Sequence, residues 1–419
     1  MSIKSTFTNN TVTIFLERKI DAGNADNLKN DYFEVRKTYP EGSMVLDASK
    51  LTYISSAGLR TILSIKKLED DFSITNVTPE VYDIFDVTGF SEMFNIRKVI
   101  REVSLEKAEF LWDSINCKIY KSGPENLIKV YNPNITIDQV EKERKLTQKA
   151  MIDGVPTIIS FDIVKCNSSY GLIYELINSK SISTMISENP DSVTATAKEC
   201  ASLLKQMHEV KPETKDFPLA KNAFIKWIDT LDKILKPKDI NVIKTYIKGL
   251  PDGDSFINGE FYGKNIMSSD GELCVFNLEK ATIGHPIFDL APMYFLHLLL
   301  PRFPELYKKH AKTARLILPM GTYNDVMKIA KLNPTDILGF DYTLAPKFYN
   351  QLVISYFGLK TPEELTHINE IVKPLATLVL TYYATELANT MNLKVENIAN
   401  VFIQKWVLPA LKKAKPVDF

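Results

Sequence analysis

Residues 255–291 read S-F-I-N-G-E-F-Y-G-K-N-I-M-S-S-D-G-E-L-C-V-F-N-L-E-K-A-T-I-G-H-P-I-F-D-L-A. Phe256 and Ile257 lead into a polar turn, and Ile266 and Met267 follow it. An Asp270-Gly271 turn then opens a second short strand over residues 273–278. A strand–loop–strand hairpin of this kind gathers Asn258, Glu260, Asn265 and Asn277 at its open end.

Phosphoryl transfer needs such a set: a carboxylate to take the hydroxyl proton, then an Asn and a carboxylate to hold magnesium. The stretch resembles the catalytic segment of the aminoglycoside phosphotransferase and choline kinase group, whose pattern is H-G-D-x-x-x-x-N, a short strand ending in I-D, then G-x-P-x-x-D-L-A. Asn265, Gly284, Pro286, Asp289, Leu290 and Ala291 match it. By that resemblance Asn258 replaces the His, Glu260 the catalytic Asp and Asn277 a metal-binding Asp. Glu279, two residues past Asn277, shares its face if the strand continues and then restores the lost charge.

The chain has 419 residues, 45% hydrophobic and 24% charged, ordinary values for a soluble protein of two or three domains. Its 51 basic and 51 acidic residues balance, which points away from nucleic acid and from membrane surfaces. Four widely spaced cysteines, without a CxxC pair, read as reduced and buried rather than metal-binding. With no apolar signal core and no apolar run near the roughly 18 residues of a membrane span, a cytoplasmic location is expected.

Residues 1–104 alternate strands and helices. Residues 11–16 and 72–77 are β-rich, residues 43–46 make a short apolar strand, residues 22–38 and 59–68 read as helix, and Pro79 starts another. That alternation predicts an α/β unit with a parallel or mixed sheet covered by helices. Its most specific run is V-L-D-A-S-K-L-T-Y-I-S-S-A-G-L-R at residues 45–60, followed later by P-E-V-Y-D-I-F-D-V-T-G-F. Both resemble the STAS domain of bacterial anti-sigma factor antagonists. The resemblance implies Ser56 as a regulatory phosphosite and Ser55 at a usual Asp position. It also implies a partner, an anti-sigma-factor-like kinase, on an edge that includes Asp47 and Ser49. A phosphate at a helix start suits the exposed amides there, while its charge would disrupt a contact shaped for a neutral surface. Ser55 or Ser56 is equally an N-cap residue.

Residues 105–419 are expected to form a two-lobed, protein-kinase-like α+β fold, with a small β-rich lobe over 105–178 and a large helical lobe over 179–419. Lys129 sits mid-strand in L-I-K-V-Y and Glu143 on the helix of residues 138–150, with Glu141 as its competitor. A strand Lys paired with a helix Glu is how kinases grip nucleotide phosphates. The run ahead of Lys129 places Ser114 and Asn116 where a phosphate loop needs glycines. Glu175 and Ile177 fall at the adenine-contacting hinge implied by the resemblance, and His208 reads as a packed helix-end residue. ATP and magnesium are the implied cofactors. With the loop glycines, the base and the metal Asp all replaced, the expected function is a regulatory protein joining a STAS domain to a pseudokinase that binds a nucleotide or small molecule. The alternative is an active small-molecule O-phosphotransferase with Glu260 as base and Asn265 plus Glu279 at the metal.

Overall fold

The computed structural model describes residues 4–158, 160–175, 179–213, 215–269 and 271–419. Contacts divide the chain into two compact units, Met1–Glu102 and Val103–Phe419.

In the first unit, strands Ser5–Thr8, Thr11–Phe15, Ser43–Asp47, Phe72–Val77 and Asn95–Lys98 pair in that spatial order. The first pair is antiparallel and the others are parallel. Thr11–Phe15 and Ser43–Asp47 alternate half-buried and buried residues, so one face carries the core. Val12, Ile14, Met44, Leu46 and Ile74 on that face meet Leu28 and Tyr32 of helix Ala25–Thr38, Ile62 and Ile65 of helix Ser56–Lys66, and Phe85 of helix Pro79–Val87. Two edge strands, Ser5–Thr8 and Asn95–Lys98, escaped the sequence reading because both are short and polar.

The second unit carries the two lobes anticipated from sequence. In the small lobe, strands Glu109–Asp113, Cys117–Ser122, Asn126–Tyr131, Ser169–Glu175 and Ser160–Cys166 lie side by side, all antiparallel. Helix Ile137–Ile152 begins with a capping box of Thr136 and Gln139, which fixes its start and hence the height of Glu143. The large lobe is helical. Helix Val193–Glu209 packs on helix Ala345–Phe357, and helix Ile287–Tyr294 packs on the long helix Pro362–Thr390. Near the end of the chain, helices Val395–Phe402 and Leu408–Leu411 are joined by a π-helical turn at Ile403–Val407.

The decisive stretch is a pair of nested hairpins. Strand Ser255–Ile257 pairs with Thr282–Gly284, and between them Ile266–Ser269 pairs with Glu272–Val275. The strand expected to run to residue 278 ends at Val275 because Asn277 adopts a left-handed backbone, φ 65°. Asp270 of the predicted turn lies outside the described residues. No helix among the described residues is long and apolar enough to cross a membrane. The four cysteines are free; three are buried and Cys274 is half-buried.

Candidate ligand site between the lobes of the second unit

Lys129 stands at the centre of the site, fully buried on strand Asn126–Tyr131. Its Nζ lies 2.8 Å from each oxygen of Glu143 and 2.6 Å from Asn277 Oδ1. Burial works against the ammonium, but Glu143 beside it more than offsets that and holds Lys129 protonated above its ordinary range. Glu143 also accepts from the hydroxyls of Tyr131, at 2.6 Å, and Tyr174, at 3.0 Å. Glu141 faces outward and pairs with Arg144.

Asn277 joins this pair to the base position. Its Nδ2 donates to Glu260 Oε2 at 2.7 Å, and the hydroxyl of Tyr383 donates to Glu260 Oε1 at 2.8 Å. The result is a continuous buried chain, Glu143–Lys129–Asn277–Glu260–Tyr383, in which every step is a hydrogen bond. Burial raises Glu260 above the usual carboxylate range, against the pull of Lys280.

The turn carrying Glu260 is shaped from below. Asp289, fully buried, accepts from the backbone amides of Asn258 at 3.0 Å and Gly259 at 2.6 Å. His208 Nε2 lies 3.0 Å from the same carboxylate, and its Nδ1 is 2.7 Å from the Tyr356 hydroxyl. Donation to Asp289 places the imidazole proton on Nε2, leaving Nδ1 to accept from Tyr356. Gly259 has φ 78°, and a Cβ there would meet the Lys280 carbonyl oxygen at 2.9 Å, so this corner requires glycine. Asn258 Oδ1 accepts from the Glu260 amide at 3.0 Å, while its buried Nδ2 has no partner among the described residues. Asn265 Nδ2 donates to the Glu260 carbonyl at 3.0 Å and closes the loop.

Although the strand has already ended, Glu279 still approaches the Lys129 ammonium that Asn277 meets. Its Oε1 accepts from Asn116 Nδ2 at 3.3 Å, and its other oxygen is 3.9 Å from Lys129 Nζ. Burial alone would raise this carboxyl, but Lys129 and Lys280 outweigh it and hold Glu279 below its ordinary range. The loop Ser114–Asn116 is turned onto itself. The Ser114 amide donates to the Cys117 carbonyl, and Asn132 takes the carbonyls of Ile115 and Asn116. Glu175 ends its strand half-buried, and Ile177 lies outside the described residues.

The set expected for magnesium, Asn265, Asn277 and Glu279, does not suit a dication as arranged. Asn265 Nδ2 donates to the Glu260 carbonyl, Asn277 Oδ1 faces an ammonium, and Glu279, the one carboxylate of the three, is shared between a loop amide and two lysines. Among the described residues no three His, Cys, Asp or Glu side chains are grouped to hold a metal. Sequence reasoning missed Tyr131, Tyr174 and Tyr383, and it placed Asn116 in the phosphate loop without its contact to Glu279. Tyr131 shares Lys129's face two residues along the strand, a legible signal, whereas Tyr383 lies 123 residues from Glu260.

In the first unit, Ser55 is the N-cap of helix Ser56–Lys66, its hydroxyl accepting from the Gly58 amide at 3.4 Å. Ser56 is the first helical residue and is exposed. Asp47 bonds the Ser49 amide at 2.9 Å and Asn76 Nδ2 at 2.7 Å, which makes it a former of the turn that leaves its strand.

Comparison with known proteins agrees with this division. Residues 2–103 match the STAS domain family model, so the first unit is a STAS domain. A candidate anti-sigma factor antagonist of Bordetella bronchiseptica, BtrV, is 29% identical over 85 residues, 19% of this chain and 72% of that protein. An aminoglycoside phosphotransferase solved with gentamicin is similar at 13% identity, covering 74% of this chain and 92% of its own, with a TM-score of 0.41. A choline/ethanolamine kinase family protein from Mesorhizobium loti is similar at 12% identity, covering 73% and 91%, with a TM-score of 0.42. Both scores lie below 0.5, so the weight rests on the chain's own side-chain geometry.

Proposed function

We propose that this chain is a regulatory protein in which the STAS domain docks a protein partner and the second unit is a pseudokinase that binds a ligand without transferring phosphate. One observation carries the reading. Asn277, at the metal position, is locked between Lys129 and Glu260, and the lysine that would grip phosphates already donates to three protein oxygens, both of Glu143 and Oδ1 of Asn277. Of the residues that would order magnesium, Asn277 is consumed in the same chain, Asn265 braces the Glu260 carbonyl, and Glu279 is flanked by Lys129 and Lys280. On the STAS domain, the docking edge is the exposed helix start at Ser56 together with Ser49 and Asp47, and phosphorylation of Ser56 would switch it off by charge.

A second reading is favoured by the intact Lys129–Glu143 pair: an ATP-dependent O-phosphotransferase with Glu260 as base. Calorimetric titration of ATP, with and without magnesium, into the wild type and Lys129→Ala separates the two. The pseudokinase reading expects no magnesium-dependent binding and no phosphate release. Magnesium-dependent ATP binding that Lys129→Ala abolishes would overturn it in favour of the enzyme.

A further inference from the structure

A cavity of about 230 Å³ opens beside Glu260, walled on one side by Asp113, Ser114, Tyr262 and Lys264 and on the other by the large lobe's helices. Eleven of its eighteen lining residues are aliphatic or phenylalanine, among them Phe295, Leu300, Phe303, Ile329, Leu380 and Leu387. Such a wall cannot hydrogen-bond a polyhydroxylated or polycationic ligand, and burying unpaired polar groups against it is unfavourable. The volume lies below the roughly 300–1,000 Å³ of sites for drug-sized ligands, so the occupant is small.

The polar groups are few and of one character. Glu260 accepts one hydrogen bond at each oxygen, from Tyr383 and Asn277, and a carboxylate oxygen can accept a second. Lys264, the one ammonium on the wall, already donates to the main-chain carbonyl of Asp336. Three carboxylates, Asp113, Glu260 and Asp336, line the cavity against it. The wall therefore favours a donor on the ligand and disfavours an anion.

We propose that this cavity binds a small, largely apolar molecule with a single hydrogen-bond donor, a hydroxyl or an ammonium, which it presents to Glu260. The proposal deepens, and rests on, the reading of the second unit as a ligand-binding body. The ligand is held by apolar burial in the helical lobe and aligned by one charge-assisted hydrogen bond.

The test is equilibrium binding to the full chain of 2-naphthol and 1-naphthylmethylamine, with naphthalene and gentamicin as contrasts. One donor-bearing probe is expected to bind with one site per chain, about tenfold or more tighter than naphthalene, the factor a hydrogen bond to a charged group supplies. Which probe wins decides between hydroxyl and ammonium. Ala384→Leu fills the cavity and should weaken that probe at least tenfold; Leu387→Phe does the same if Ala384→Leu fails to fold, as judged by thermal unfolding. Absence of saturable binding by both probes would overturn the proposal. So would naphthalene matching them, gentamicin displacing them, or a folded filling variant that binds unchanged. ATP turnover is followed in the same samples. Turnover with magnesium would sink the pseudokinase reading while leaving the cavity result readable, and probe failure without turnover would sink the cavity alone.

Discussion

Replacing Asn277 by Asp restores the residue the kinase pattern expects and is the sharpest perturbation of this site. The backbone does not confound it, because Asp tolerates the left-handed conformation at φ 65° about as well as Asn. What changes is the contact to Glu260. An amide donor 2.7 Å from Glu260 Oε2 becomes a carboxylate oxygen facing another. At an effective dielectric near 20, two unit charges about 3 Å apart repel by roughly 5–6 kcal/mol, an upper bound that Lys129, 2.6 Å from the other oxygen, partly offsets. A net loss of about 2–4 kcal/mol is reasonable for a buried donor exchanged for a like charge.

The pair escapes this repulsion by sharing a proton, which raises the apparent pKa values of the two carboxyls together. A carboxyl whose folded-state pKa is raised binds a proton more readily folded than unfolded. Its contribution is therefore present at low pH and lost as pH rises through the folded value. Asn277→Asp should match the wild type near pH 5 and fall below it near pH 8. For a unit of this size the midpoint drops by about 3–6 °C. Thermal unfolding at both pH values, with and without magnesium, is the assay. Equal midpoints at pH 8 would refute the Asn277–Glu260 bond. A rise on adding magnesium to the wild type would refute the claim that the donor set excludes a dication.

Four further outcomes follow from named contacts. Lys129→Ala leaves Glu143 buried with only two tyrosine hydroxyls and should lower unfolding stability by about 3–5 kcal/mol in denaturant titrations. Tyr383→Phe removes one donor to Glu260 without changing shape, and should lower stability by about 1–3 kcal/mol, with binding of the naphthyl probes altered in parallel. Ser55→Ala removes a long cap bond and should cost about 0.5 kcal/mol, whereas Ser56→Ala, exposed at the first helical position, should fall within roughly ±0.5 kcal/mol; denaturant midpoints distinguish them. His297, fully buried and stacked near Phe348, has its pKa pushed by burial from 6.5 down to about 4. A depressed histidine favours the folded state above pH 6.5, so stability falls by up to about 3 kcal/mol between pH 6.5 and 4, and His297→Leu should flatten that slope.

How much of this was legible depended on the range of the forces involved. The STAS unit was readable because period-2 and period-3.6 patterns are local, and strand Phe72–Val77 and the helix start at Pro79 fell where those patterns placed them. The Lys129–Glu143 pair was readable because a strand lysine and a helix glutamate 14 residues apart are joined by one connection. Two things were not. The end of the strand at Val275 turned on a single left-handed residue, for which an Asn in an apolar run is a weak signal, so the strand alternation invoked for Glu279 does not hold there. Tyr383 and one side of the cavity wall, Leu380, Ala384 and Leu387, come from the helix Pro362–Thr390, whose placement is decided by long-range packing that no local pattern encodes.

The same contacts explain which parts of the kinase-like segment this chain keeps. Asp289 holds the backbone of Asn258 and Gly259 and is held in turn by His208, so it is needed for the turn to exist at all. Gly284 sits where a Cβ would approach the Ala220 side chain to 2.9 Å, a packing demand independent of chemistry. Of the exchanged positions, Glu260 and Asn277 instead belong to the polar chain running from Lys129 to Tyr383, while Asn258 accepts from the Glu260 backbone amide. The retained residues thus preserve the shape of the loop, while Asn277 and Glu260 satisfy each other by a direct hydrogen bond. On the reading proposed above, a loop kept in form but unsuited to a dication serves a binding scaffold, in which Glu260 and Tyr383, both on the wall of the apolar cavity, are the members of the chain that meet a ligand.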